Sequence, residues 1–429
     1  MRSLLRSHHL LTLAVIALLG IGLMMVQSAS MQVTGHTDAL LTDAAAKHVR
    51  FVVLGLVAFF VAMRLPVEQW IAGNCELKTE DAATPNDVAT SANPQSAIRN
   101  PQSTSSNSQF AVRIWQFLSR SPAFWTLVTA GFLCFLVLVP HIGSEVNGAR
   151  RWIKIGPIQL QPSELAKWAT VISLAWWLTR RPIDLSKFTG FLLTLAPIGV
   201  LALLVVIEDF GTAALIGMVT LLMLVVGRVK TWHLAVVIPP ALGAAAFFVM
   251  GTPYRWKRMT SFLDPWQDPR GDGYHMIQSL MSFASGGFTG RGLGNGIQKL
   301  GYLPEDTTDF IFAVICEELG FFGAATVVAL YLAIVVVAWR LIRDDRVSPL
   351  GKLLSFGIAS TIGLQACINL AVATVSMPTK GMSLPLISAG GTGIVLACAM
   401  LGAMAGIARA RPVEETADLP EEASEPVTA

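Results

Sequence analysis

Ten apolar runs set the limits on what this chain can become. They lie near residues 10–27, 48–64, 123–140, 164–179, 188–207, 211–228, 233–250, 309–340, 352–375 and 390–409. Crossing a hydrocarbon core about 30 Å thick takes roughly 20 helical residues, and these runs are of that length. The fourth is short and the eighth long, so tilted helices are expected. Only 14% of the 429 residues are charged, while 53% are hydrophobic; a soluble domain carries about a quarter charged. The expected fold is an all-α polytopic membrane protein of about ten transmembrane helices with one large extracytoplasmic loop.

Charge and cysteine usage exclude several classes. A net charge of +3 is too small to argue for nucleic acid. Of the five cysteines, Cys134, Cys316, Cys367 and Cys398 lie in apolar runs, and none pairs as CxxC with another or with Cys75. Neither a disulfide framework nor a zinc site is indicated. The N-terminal segment (Arg2, Arg6, then Leu10–Val26) resembles a signal peptide, but lacks a nearby small-x-small cleavage site and precedes nine more runs. It reads as a retained first helix.

Lys and Arg in short loops set orientation. With an even count of spans, Arg2 and Arg6, Arg180-Arg181 with Lys187, Arg228 with Lys230, Arg340 to Lys352, and Arg409 with Arg411 share one side. That side is expected to be the cytoplasm, which places both termini inside. The organisation that follows is two spans in residues 1–73, a disordered cytoplasmic insert at 74–112, and five spans in 113–250. An extracytoplasmic loop at 251–308, three spans in 309–411 and a disordered tail at 412–429 complete it. The insert is rich in Asn, Ser, Thr, Pro and Gln with no hydrophobic period, as disordered chains are.

Four constellations could carry chemistry. In the first, the outer loop runs through Tyr302-Leu303-Pro304-Glu305-Asp306-Thr307-Thr308-Asp309 into the eighth span. Thr307 or Thr308 can cap that helix, which would place Asp309 in its first turn, where the macrodipole favours an anion. Asp309 is therefore either a cap facing water or a carboxylate at the bilayer lip that acts on a polar head group. Glu305 and Asp306 read as solvated charges, though either could bind a divalent cation. No metal site is specified.

The second is Asn147-Gly148-Ala149-Arg150-Arg151-Trp152-Ile153 followed by Gln161-Pro162-Ser163-Glu164-Leu165-Ala166-Lys167. Pro162 is placed to open a helix, and Glu164 and Lys167 share a face and can pair. A lysine near a helix N-terminus suggests a local anion, either Glu164 or a bound phosphate. Arg150 and Arg151 suit phosphate oxygens, whereas Lys154 suits lipid head groups and Trp152 an interfacial anchor. A basic cluster on the outer face implies a use for the charge.

The third is a set of intramembrane acids. Glu208-Asp209 lies between two spans and Glu317-Glu318 within the eighth; ionisable groups at such depth face a cavity or a partner. For Glu317 and Glu318 a packing role outweighs a chemical one. The fourth is Leu384 to Gly393, including Ser388, whose small residues allow close approach or a lipid-lined groove. The run Gly286 to Gly296 could cradle phosphate, but it does not open a helix as a P-loop must.

These blocks, in this order, resemble the SEDS family of FtsW, RodA and SpoVE over about residues 10–410, omitting the insert and the tail. The most specific pieces are Asn147–Trp152, Gln161–Lys167, Tyr302–Phe312 with Glu317-Glu318-Leu319-Gly320, and Leu384–Gly391. The stretch Ser261 to Trp266 and Gly294 to Lys299 looks more like the division branch, Tyr274-His275 more like the elongation branch. Departures are Thr307 where the family has His, Ala389 where it has an aromatic, and Ile207-Glu208 where it has Gln-Pro.

The resemblance implies a peptidoglycan glycosyltransferase of the bacterial inner membrane that polymerises lipid II and releases undecaprenyl pyrophosphate in septal wall synthesis. It implies Asp309 as the catalytic residue and Arg150, Arg151, Glu164, Lys167 and Ser388 as substrate-binding residues. No cofactor is specified, although a divalent cation could share the stabilisation of charge. The implied partners are a class B penicillin-binding protein, since this chain has no Ser-x-x-Lys transpeptidase domain, and other divisome proteins. A lipid II flippase would use the same cations without needing a base at Asp309. A non-catalytic scaffold for a transpeptidase would need neither.

Overall fold

Each of the ten apolar runs is a helix in the computed structural model, which describes residues 7–30, 42–72, 122–140, 143–146, 149–156, 158–180, 184–271 and 273–409. The insert at 74–112, the tail at 412–429, Asn147-Gly148 and the arginines at 2, 6, 181 and 411 lie outside the described residues. The helices are α1 (Ser7–Ser30), α2 (Asp43–Arg64), α3 (Val67–Ala72), α4 (Pro122–Leu138), α5 (Pro162–Arg180), α6 (Phe188–Glu208) and α7 (Phe210–Val226). They continue as α8 (Thr231–Met250), α9 (Pro253–Ser261), α10 (Tyr274–Gly286), α11 (Ile311–Arg343), α12 (Pro349–Ala373) and α13 (Thr392–Arg409). Among the described residues, seven helices are long and apolar enough to cross a membrane: α1, α2, α6, α8, α11, α12 and α13. The helices α4 and α7 are shorter apolar ones. The protein is a polytopic, largely α-helical membrane protein.

The helix α5 is less apolar because it faces protein rather than lipid. It packs on α4, α6, α7, α12 and α13, and buries Trp168, Trp176 and Trp177. Pro162 occupies its first position, where a missing N–H costs nothing. By contrast α8 leaves Trp232, Leu242 and Phe247 at least 65% exposed, a surface suited to lipid.

Three features depart from the sequence expectation. A three-stranded antiparallel sheet, β1 (Gly143–Val146), β2 (Ala149–Ile155) and β3 (Ile158–Leu160), precedes α5. Its register sets Ile153 opposite Gly143 and Leu160, and Gly156 turns between β2 and β3 at φ 60°. The segment 251–308 is also not irregular throughout. Pro253 starts α9, Asp264 caps the 3-10 turn Pro265–Gln267 through the N–H of Trp266, and α10 packs on α11.

Finally, α11 is broken at Gly320, where φ is 65° and ψ −160°. Residues 287–292 fill the break. Arg291 and Gly292 donate their N–H groups to the carbonyls of Glu317 (3.0 Å) and Glu318 (2.9 Å). Phe321 and Phe322 donate to those of Gly287 (3.0 Å) and Phe288 (3.4 Å). Backbone groups freed by a broken helix in an apolar setting require such partners.

Candidate active site

A cavity of about 620 Å³ opens where α5, α7 and α13 begin and α6 and α8 end, roofed by α9, α10 and the α12–α13 connection. Arg151, Glu164 and Asp309 line it together with Glu208, Asp209, Arg255, Arg258, His275, Glu305, Gln365 and Lys380.

Asp309 lies ahead of α11 rather than in its first turn. The helix begins at Ile311 with Phe310 as an N-cap residue that makes no side-chain cap bond, and Thr308 instead donates its hydroxyl to Glu305 Oε2 (2.8 Å). The reason is tertiary. Three successive carbonyls accept hydrogen bonds from outside the segment: Thr307 from the N–H of Ala389 (3.0 Å), Thr308 from Ser388 Oγ (2.6 Å) and Asp309 from Asn369 Nδ2 (2.8 Å). These bonds keep the turn out of the helix and direct the carboxyl to the cavity.

The carboxyl of Asp309 is half-buried. Burial, with the nearby charges of Glu305 and Asp209, pushes it up to about 7 against the opposing pull of Arg151 and Arg258. A carboxyl held near neutrality in a cleft is matched to proton transfer. Arg151 Nη1 and Asp309 Oδ2 flank Gly381, and a Cβ built there would sit 3.4 Å from each. The cation and the acid thus both come close to Gly381 in the lining of the cavity.

Arg151 is held by its Nε donating to the backbone carbonyl of Glu208 (2.7 Å), while Glu208 Oε2 accepts from the N–H of Arg150 (2.8 Å). The β2 strand delivers Arg151 to the cavity. Asp209 caps α7, accepting from the N–H (3.0 Å) and the hydroxyl (2.7 Å) of Thr212.

The remaining expected residues sit behind or beside this cavity. Lys167 is buried, donating to Glu164 Oε2 (2.8 Å) and Gln365 Oε1 (2.6 Å), so it supports two wall residues and does not reach the cavity itself. Ser388 is buried, accepts from the N–H of Leu384 (2.7 Å) and anchors Thr308. Arg150 turns its side chain outward toward Glu145, 3.8 Å away. Lys154 is exposed on β2 and Trp152 lines the cavity.

Arg255, Arg258 and Lys380 were not singled out by the sequence. The only signal was positive charge on the outer side of the span pattern, since no spacing links positions this far apart. Among the described residues no group of three or more His, Cys, Asp or Glu side chains is arranged to hold a metal ion. The cationic lining is arginine and lysine, groups suited to phosphate oxygens.

Residues 108–412 match the cell cycle protein family of FtsW, RodA and SpoVE. A probable peptidoglycan glycosyltransferase FtsW of Coxiella burnetii is 35% identical over 404 residues, spanning 93% of this chain and 95% of that protein. That of Nitrosococcus halophilus is 44% identical over 274 residues, 62% of this chain and 70% of its own. Among solved structures, a chain from work on structural coordination of polymerization and crosslinking by a peptidoglycan synthase complex superposes with a TM-score of 0.64 at 26% identity. The alignment covers 93% of this chain and 96% of that one. The rod shape determining protein RodA of Thermus thermophilus shares the fold, with a TM-score of 0.57 at 24% identity over 93% of this chain and 95% of its own. With the four sequence blocks brought to one cavity and the match extending over most of its length, this chain belongs to the FtsW/RodA/SpoVE family.

Proposed function

We infer that this chain is a peptidoglycan glycosyltransferase that polymerises lipid II, and that Asp309 is its general base. The 4-hydroxyl of a lipid II GlcNAc attacks the anomeric carbon of the growing chain's MurNAc. The new glycosidic bond forms as the bond to undecaprenyl pyrophosphate breaks, and the hydroxyl proton passes to Asp309. Negative charge builds on the departing pyrophosphate and is met by Arg151, with Arg255, Arg258 and Lys380 lining the same cavity. Fixed cations in a cleft stabilise such charge without reorganising. Lys167 acts indirectly, holding Glu164 and Gln365 in place, and Ser388 holds the Asp309 turn.

One observation carries this reading: Asp309 and Arg151 both come close to Gly381 in the lining of one cavity. A flippase needs the cations but no acid beside them, and a scaffold needs neither. The names of the FtsW relatives support the glycosyltransferase. The similar structure from a complex that coordinates polymerization with crosslinking supports a partnership with a transpeptidase, which we take to be a class B penicillin-binding protein of the inner-membrane divisome. The test is polymerisation of lipid II by purified protein, with and without that partner. D309N should lose at least ~10²-fold in rate, the usual contribution of a general base. Equal product from wild type and variant would remove Asp309 from the mechanism.

A further inference from the structure

Glu317 and Glu318 take no part in the cavity, yet both side chains are fully buried. Their oxygens are occupied by the loop that precedes the Asp309 turn. Glu317 accepts from the N–H of Ile297 through Oε1 (2.9 Å) and of Gln298 through Oε2 (3.2 Å), with Arg291 Nη1 at 3.7 Å. Glu318 accepts from the N–H groups of Gly294 (3.1 Å) and Gly296 (3.4 Å), from Lys299 Nζ (2.6 Å) and from Ser28 Oγ (2.8 Å to Oε2). Lys299 is itself buried and also donates to Ser28 Oγ (2.8 Å), which ties the cluster to α1. The glycine-rich run Gly286 to Gly296 and the two residues after it hold two of the protein's own carboxyl groups in place of a phosphate.

These contacts close a ring. From Gln298 the chain reaches Leu303, whose N–H returns to the Gln298 carbonyl (2.8 Å), then the Glu305 carbonyl, which accepts from Thr308 and Phe310 (3.1 Å each). It continues through Asp309 into α11 and arrives at Glu317, whose carboxyl holds Gln298. Asp309 stands on the far side of that ring. Immediately beyond it, the break at Gly320 separates residues 311–319 from the rest of α11. That short piece, whose Ile311 to Cys316 are buried, takes its orientation from the ring and from its own packing rather than from a continuous helix.

We propose that Glu317 and Glu318, with Lys299, are positioning residues for the reaction, holding the ring that sets Asp309 against Arg151. The proposal rests on the reading of Asp309 as the base. Gln is nearly isosteric with Glu, but it turns an NH2 donor toward the N–H of Ile297 or Gln298, so E317Q opens the ring with little change of volume.

The test compares full-length wild type, E317Q, E318Q and D309N in lipid nanodiscs by two readouts. Hydrogen exchange needs no activity. Amides 297–310 should exchange at least roughly tenfold faster in E317Q while those of α12 and α13 keep their protection, as local opening dictates. In lipid II polymerisation, kcat should fall roughly tenfold or more with KM within about twofold, as small misplacements of a catalytic group do. The acid limb of the pH profile should also move down in E317Q. A loosened Asp309 gains water while Arg151, Arg258, Glu305 and Asp209 still face it. A merely structural role would lower the amount of active protein without moving the limb. Unchanged exchange, or faster exchange with kcat and the limb unmoved, overturns the proposal. If D309N polymerises normally, the assignment of the base fails on its own, and exchange still decides whether the carboxyls hold the ring. Should E317Q not fold, R291A removes only the partly exposed contact to Glu317 and should still speed exchange at 297–310 about threefold; no change there overturns the proposal equally.

Discussion

At the scale of single residues, the environment of Asp309 makes a pH prediction with a definite sign. Its carboxyl is held at about 7 first by burial and then by Glu305 and Asp209. A base must be ionised, so kcat/KM should rise with pH along a limb centred near 7, and that limb should be absent from the residual activity of D309N. Stability runs the other way. The folded value lies above the ordinary 3.8, so the unfolded chain releases this proton first, and the folded state loses stability as pH rises through the interval between them. D309N should therefore melt higher than wild type at pH 8, and the difference should vanish below the ordinary carboxylate range. Gly381 offers a second test. A methyl there would make ordinary contacts at 3.4 Å with Arg151 and Asp309, so G381A should stay within about threefold of wild type. G381V adds two methyls that must push against Arg151 or Asp309 and should lower kcat/KM by more than ~10-fold, since displacements near 1 Å cost up to ~10²-fold. Asp309 stood out in the sequence as the last carboxylate between a polar loop and an apolar run, open to a capping or a chemical role, and the resemblance implied the chemical one. What holds it was not visible: Asn369 and Ala389 reach it across 60 or more residues, and hydrogen bonds of that kind leave no local pattern.

At the scale of elements, each apolar run proved to be a helix among the described residues because length and hydropathy are local properties. Charge pairing three residues apart was equally legible, and Glu164 and Lys167 meet at 2.8 Å. The small sheet at residues 143–160 was not legible because its strands run only three to seven residues, too short to establish a period of two. The break in α11 was missed for a different reason. Residues 311–343 read as one apolar run, and only the partner loop, with its donors at Arg291 and Gly292, makes an interruption at Gly320 affordable. Close approach or a lipid-lined groove was expected around Leu384 to Gly393, and α13 makes close helix contact about two and a half to three and a half turns beyond it. A Cβ on Gly402 would collide with the carbonyl oxygen of Phe59 in α2, and one on Gly406 would press on that of Met63 at 3.0 Å. Because backbone cannot move aside as a side chain can, G402A should destabilise the protein by about 1–3 kcal/mol, as overpacking does. A thermal melt in detergent should show a fall in Tm, with the residual folded protein retaining wild-type KM.

At the scale of the whole molecule, charge and chemistry are sorted to opposite ends of the bundle. Glu164, Asp209, Val249, Gln365 and Gly390, which line the cavity, lie at or near the ends of α5, α7, α8, α12 and α13 on one side. The opposite ends carry Arg180, Lys187, Arg228, Lys230, Arg340, Arg343, Lys352 and Arg409. The positive-inside rule would assign that second end to the cytoplasm, so we propose that the cavity opens outward. The cations at the outer end, Arg151, Arg255, Arg258 and Lys380, run against the rule, and the cavity supplies the reason: they line a site for an anionic head group that lipid II presents on the outer leaflet. The arrangement is testable without any assay of catalysis. In a background with the five native cysteines replaced, a single cysteine at Trp266, which is 63% exposed beyond α9, should react in intact spheroplasts with a maleimide that cannot cross the membrane. One at Asp345, in the connection between α11 and α12, should react only after permeabilisation. The reverse pattern would put the acid and its cations on the side where the precursor is made. The basic residues at the far helix ends would then need another explanation, and a flippase loading from the cytoplasm would account for the cavity better than a polymerase does.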